Sequence, residues 1–493
     1  MTYKKFNDVY LSFYIVILVV SALIFSIVGN EKNIILFLSC AVFLACLIYA
    51  IKSFYKNIFF LSYLVSFFTF LLGGQILSRF MDTYWYKFSD AIEYHTDLVL
   101  LISLLGIFIG YFVTDNIRIN NKFIKNKSDY SSKQTWNTPY IQRIRQVVKP
   151  LFLVSYVAWI VTLLDIIIFV YRNGYYTFYV SYSSSIPMVI RAIGNMAPML
   201  FCVFLATMPS KTEAKNIILM YGLYILLSLG TGRRLYFMTG VLFILSYMLM
   251  RNVVAYEKRL WIKKRTFVKI VIMMPVLLGM MYLFEYIRAT EYVGSADQYS
   301  PVLGFFIRQG TSVNVIKYGE LFANRLDPDA FYSMYNTLRW VSSSLIGYIL
   351  DIKLPFVFEK QSIETAFSGS SLADFVSFNA LGSLYVDGSG YGSCYIEELY
   401  IDFGYVGVFL GNILYGVLLC TLLKNIMGKR RIYLTAIGLY MVSSIFVAPR
   451  SNYDAFFGGL LYISAWGPLV AVFVITKIYK NFHLERGANG VSD

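Results

Sequence analysis

The sequence predicts an all-α polytopic membrane protein with about twelve spanning helices and one long polar segment between the ninth and tenth. Three observations carry that reading. Hydrophobic residues make up 58% of the 493 and charged residues only 14%, where a soluble domain carries about a quarter charged. Apolar windows of roughly 17 to 25 residues recur along the chain, the length a helix needs to cross ~30 Å of hydrocarbon. These windows are continuous rather than alternating, which excludes a barrel, and lipid leaves the backbone no partner outside a helix.

Taken in order, the spans are expected at Tyr10–Val28, Asn33–Ile51, Ile58–Leu77, Leu98–Val113, Pro150–Tyr171 and Met188–Thr207. They continue at Asn216–Gly230, Leu235–Met250, Ile270–Ile287, Gly404–Leu423, Ile432–Ala448 and Phe456–Thr476. The first is long enough to span and is followed by no small-residue cleavage site, so it does not read as a cleavable signal peptide. The chain then divides into residues 1–287 (nine spans), 288–403 (the polar segment) and 404–493 (three spans and a tail). Within the polar segment, Trp340 to Leu350 is apolar enough for an interfacial or re-entrant helix; a pair of short spans is the alternative.

The cations fix the expected orientation. Of 43 Lys and Arg, 28 fall in loops and tails on one side, including the cluster between Thr114 and Lys149. By the positive-inside rule that side is cytoplasmic, with both termini, and the polar segment is outside. A net charge of +15 therefore reflects topology rather than nucleic-acid binding. From Arg288 to Phe403 thirteen acids face seven bases. The outer cations also differ in kind: arginine outnumbers lysine there, and guanidinium forks hold phosphates and carboxylates bidentately.

No metal or nucleophile motif is present. The only histidines are His95 and His483, so no pair on one helix can bind zinc. The five cysteines are too few for a disulfide framework and read as small hydrophobes. Gly230-Thr231-Gly232 before Arg233-Arg234 lacks the lysine and spacing of a phosphate loop; it reads either as a tight hairpin or as part of an anion site. Arg288 follows Glu285 and precedes Glu291 at three-residue spacing, a local ladder or an arginine at a cavity mouth. Arg308-Gln309-Gly310-Thr311-Ser312 reads as a turn, or as amide and hydroxyl donors beside an arginine. The run Tyr391 to Gly404, read as a helix entering the tenth span, puts Tyr395, Glu398 and Asp402 on one face, with Gly404, Gly407 and Gly411 suited to close helix packing. Arg450 lies in the short loop between the last two spans. Inside the spans, Asp165 and Arg191 are expected to pair.

Together the Gly-Thr-Gly-Arg-Arg turn, Arg288, Arg308-Gln309-Gly310, Tyr391-Gly392-Ser393 and Glu398-Leu399-Tyr400-Ile401-Asp402-Phe403-Gly404-Tyr405-Val406-Gly407 resemble the O-antigen polymerase (Wzy) group of oligosaccharide repeat-unit polymerases. The resemblance covers most of the chain by topology and few residues by identity. It implies a GT-C-like, metal-independent glycosyltransferase of the bacterial inner membrane, with no cofactor. The implied substrate is an oligosaccharide on undecaprenyl diphosphate, polymerised at the periplasmic face into O-antigen or related polysaccharide; membrane lipid and a chain-length regulator are the implied partners. Displacing a diphosphate needs the leaving anion stabilised. Arg288, Arg308 and Arg450 suit that role, with Arg233, Arg234 and Arg339 behind them. Glu398 is the candidate base, Glu397 or Asp402 its substitutes, and Tyr391 and Tyr395 candidate sugar-stacking rings. The rivals are a lipid-linked oligosaccharide flippase or other transporter and an O-antigen ligase; the polar segment lacks the histidine such ligases use.

Overall fold

The computed structural model describes residues 33–81, 86–120, 138–254, 300–349, 360–368, 370–428 and 431–489, with parts of 260–279. Among the described residues there is no strand, and nine helices are long and apolar enough to cross a membrane. They are α1 (Ile34–Lys52), α2 (Ile58–Met81), α3 (Asp90–Asn120), α4 (Pro139–Asn173), α5 (Met188–Ala206), α6 (Lys211–Thr231), α7 (Arg234–Val254), α12 (Tyr395–Gly428) and α13 (Ile432–Val447). A tenth is the pair Ala455–Leu461 and α14 (Ile463–Asn489), bent by 58°. The chain is an all-α, multi-pass membrane protein. The expected spans Tyr10–Val28 and most of Ile270–Ile287 lie outside the described residues, as does Arg288 with Glu285 and Glu291.

Local chemistry sets the helix ends. Thr138 accepts a hydrogen bond from the Ile141 amide with Pro139 at the first helical position, and Gly174, at φ 89°, ends α4; this is the expected proline-in, glycine-out asymmetry. Ser210 and Glu213 form a reciprocal capping box at the start of α6. At one end of the bundle Arg145 donates to the Thr207 and Met208 carbonyls and Arg251 to that of Pro209.

The central frame is α3 against α12, the most extensive helix contact among the described residues. The two run parallel, and small residues let their backbones touch. A Cβ on Gly106 would sit 2.7 Å from the Phe409 carbonyl oxygen; one on Gly110 would strike the Ile413 carbonyl, and one on Gly416 the Ile107 carbonyl. Lys424 closes the far end on Asp115 at 2.7 Å. The seam is therefore not made by the expected glycines. A Cβ on Gly407 or Gly411 would collide with Phe403 or Leu399, in the piece of α12 before the break, and Gly404 interrupts the helix at φ 64°, ψ −163° with open space around it. That backbone region is almost closed to other residues. Gly110→Val must push α3 off α12, at the upper end of the ~1–3 kcal/mol that overpacking costs. The yield of folded protein from detergent should fall sharply; a wild-type yield and melting temperature would refute the seam.

The described residues between 300 and 403 cap the bundle end where α3 and α12 begin. They form α8 (Pro301–Gly310), a 3₁₀ turn, α9 (Asn314–Leu321), α10 (Tyr335–Ser343) and α11 (Leu372–Leu381), with shorter turns between. Among the described residues of this segment no helix reaches spanning length, so the paired short spans are not found there. The apolar stretch around Trp340 instead belongs to two short helices, α10 and Leu345–Ile349. Two carboxylates pin the segment: Asp402 accepts from the Tyr332 and Ser333 amides at 3.1 and 2.8 Å, and Asp454 from Asn336 and Thr337. Burial, chiefly, and the nearby Asp327 and Asp402 carboxylates push the Tyr332 phenol up to about 12.

Candidate functional site

Two of the sequence-predicted arginines, Arg308 and Arg450, are brought to one place through Gln309. Arg308 lies in the last turn of α8, beside the buried Gln309. Gly310 packs so tightly on Gly74 of α2 that a Cβ on Gly74 would collide with its backbone, which fixes where α8 ends. Arg450, in the turn after α13, donates from Nη1 to Gln309 Oε1 at 3.2 Å and holds its guanidinium 5.9 Å from the Phe70 ring. Gly392 faces Arg450 Nε, 3.9 Å from where its Cβ would be, and the Tyr391 ring packs on Tyr318. Both arginines are half-buried, and at such a site an anion feels less screening than in bulk water.

The hydroxyls expected to help them do not. Thr311 donates to the Arg308 carbonyl and Ser312 to that of Gln309. Arg308 to Ser312 is a helix end running into a 3₁₀ turn rather than a loop, so these side chains bond back to their own turn.

Glu398 holds the Arg450 loop in place. It is fully buried and accepts from Ser393 Oγ at 2.5 Å, Asn452 Nδ2 at 2.6 Å and the Tyr453 amide at 2.7 Å. A carboxylate with three strong donors is satisfied, and three of its four acceptor sites are taken. Glu397, one residue earlier and equally buried, is its opposite. Neither oxygen accepts a hydrogen bond from the protein. It lies 3.6 Å from His95 Nε2, pressed against Gly319 of α9, where a Cβ would collide with it.

Tyr395 is also fully buried. It donates to Asn412 Oδ1 at 2.5 Å and shares a second hydrogen bond with Tyr63, while Asn412 donates on to Ser103. Packed against the Tyr415 and Tyr453 rings, it presents no face to a sugar. Tyr395, Glu398 and Asp402 thus bind three different neighbours, and all three serve to fasten the start of α12.

The remaining arginines sit elsewhere. Arg233 and Arg234 follow Gly232, at φ 73°, in a tight hairpin between α6 and α7. The Arg233 guanidinium covers the Phe178 ring at 3.9 Å, within a cluster that includes Tyr175, Tyr179 and Tyr236. Arg339 is exposed on α10. Asp165 and Arg191 do not pair. Tyr182, Ser184 and Ser185 all donate to Asp165, because the chain after α4 folds back over it and supplies hydroxyls closer than the next helix could supply a cation.

Sequence reasoning missed a second charged cluster, where α2, α3 and α9 meet. Arg79 pairs with Asp97 at 2.9 Å and Glu93 at 3.5 Å, Gln75 donates to both acids, and Lys317 of α9 reaches Glu93 at 2.8 Å. Burial pulls the Lys317 ammonium below the ordinary lysine range, and Glu93 beside it pulls it back. The signal was available: Glu93 and Asp97 stand at i and i+4 at the start of an apolar run, on one helical face. His95 lies between them.

A family model described as O-antigen polysaccharide polymerase Wzy matches residues 10–482. No curated protein and no solved structure matches the chain.

Proposed function

The chain belongs to the O-antigen polysaccharide polymerase Wzy family, and from that premise we propose that it elongates a surface glycan at the periplasmic face of the bacterial inner membrane. The growing chain leaves its undecaprenyl diphosphate carrier and is transferred to the terminal sugar of a new lipid-linked repeat. Both termini are cytoplasmic in this reading, and residues 288–403 form the periplasmic segment between membrane parts 1–287 and 404–493.

One observation carries the proposal: Arg450 meets Gln309 at 3.2 Å, next to Arg308, on a loop that Glu398 fixes through three hydrogen bonds. In the transfer the anomeric C–O bond breaks and negative charge develops on the leaving diphosphate. Arginine forks held in place before the reaction stabilise that charge without reorganising. Glu398, expected as the base, is assigned here to positioning the Arg450 loop. Arg233, Arg234 and Arg339 are assigned to the glycan further from the reacting bond, and Tyr391, beside Arg450 at Gly392, to its sugar face.

Deleting the gene in the producing strain and resolving the surface glycan on a gel tests the reading. A polymerase leaves chains capped with a single repeat. Complete loss of the glycan points to a flippase, and an unchanged ladder rejects both.

A further inference from the structure

A carboxylate, an imidazole and a phenol meet where α3, α9 and α12 come together, and the arginine site does not use them. Glu397 is fully buried without a hydrogen-bond donor. An ionised carboxylate in that position is costly, and the group able to satisfy it is His95, whose Nε2 lies 3.6 Å away. With Nε2–H turned toward Glu397, His95 Nδ1 is left to accept, and the Tyr405 hydroxyl stands 3.1 Å from it. His95 is 4% exposed and Tyr405 37%, so the series runs from a buried acid through a buried imidazole to a half-exposed tyrosine, whose hydroxyl also meets that of Tyr400. The Tyr400 ring packs on both, 4.3 Å from the His95 ring and 4.9 Å from that of Tyr405. The helix break at Gly404 immediately precedes Tyr405. This order of orienting acid, base and hydroxyl is the arrangement that lets a side chain handle a substrate proton.

We propose that Glu397, His95 and Tyr405 form the proton relay that deprotonates the attacking sugar hydroxyl. The proposal rests on the polymerase reading above. As the acceptor oxygen bonds to the anomeric carbon, the bond to the diphosphate breaks and its electron pair leaves with the phosphate oxygen. The acceptor's proton passes to the Tyr405 oxygen while Tyr405 gives its own to His95 Nδ1. Glu397 holds the imidazolium that results, and the proton returns to solvent when the product leaves. The titratable groups facing His95 and Tyr405 are Glu320 from α9, Glu397 and Tyr400 from α12, and Tyr94 from α3. Glu398 is not part of this relay: both its oxygens face Ser393, Asn452 and the Tyr453 amide.

The test uses the full chain in proteoliposomes with lipid-linked repeat units as substrate. His95→Gln should lower turnover about 100-fold, the low end of what a general base contributes, with KM for the lipid-linked repeat little changed. Tyr405→Phe, at a half-exposed position where folding is not at stake, should lower it at least about tenfold. The wild-type rate should fall on the acid side as the imidazole protonates and can no longer accept, and His95→Gln should lack that limb. Folded variants with wild-type turnover, or reduced turnover with the acid limb intact, overturn the relay; should His95→Gln fail to fold, Tyr405→Phe decides. His95→Gln active while Arg308→Ala is inactive rejects the relay alone. A wild-type protein that does not polymerise rejects the reading beneath it as well.

Discussion

Arg450→Ala is expected to stop chain growth while leaving the protein inserted and folded. The guanidinium is half-buried, bonded to Gln309 and lodged against Phe70, so its orientation is set before any substrate arrives. Removing one preorganised donor aimed at developing charge costs about 10² to 10³ in rate. Surface glycan from a strain carrying Arg450→Ala should therefore show a single repeat where the wild type shows a ladder, at equal protein level in the membrane. Lysine offers a point charge in place of the fork, and Arg450→Lys should restore only short chains. A wild-type ladder from Arg450→Ala would remove this residue from the site.

Glu398→Ala is expected to fail for a different reason. It would leave Ser393 Oγ, Asn452 Nδ2 and the Tyr453 amide as donors with no acceptor. Each such orphan costs about 1–3 kcal/mol, so the change should cost several in all and release the loop that carries Arg450. A marked drop in melting temperature in detergent, together with lost polymerisation, is the expected result. Glu398→Gln separates positioning from proton transfer. If the residue only pins the loop, the amide destabilises the fold, because one of its two heads is a donor facing donors. If Glu398 were the base, Glu398→Gln would melt like the wild type and be inactive, and that outcome would reject the assignment made here.

How much of this was legible in the sequence differs by level. The spans were readable because burial in lipid demands long uninterrupted apolar runs, and ten of the twelve expected fall on described helices. The meeting of Gln309 with Arg450 was not, since the two lie 141 positions apart and depend on Gly310 seating against Gly74. Adjacent acids were equally opaque. Glu397 and Glu398 are identical in composition, yet successive helix positions point about 100° apart, so one met three donors and the other a histidine. Asp165 misled because sequence shows which groups need partners, not that nearby serines and a tyrosine will reach them first. His95 has no second histidine with which to bind a metal, and sequence does not show that Glu397 and Tyr405 will flank it.

The break at Gly404 divides α12 mechanically. Below it, the helix is welded to α3 along Gly106, Gly110 and Gly416; above it, the short outer piece is tied to α2, to the Arg450 loop and to the turn before α10. Helices tilt as bilayer thickness changes. The two pieces stay joined across the break by Tyr395 on Asn412 and by Glu397 against His95 of α3, so a lean of the rod with the lipid reaches the first turns through side chains rather than through continuous helix.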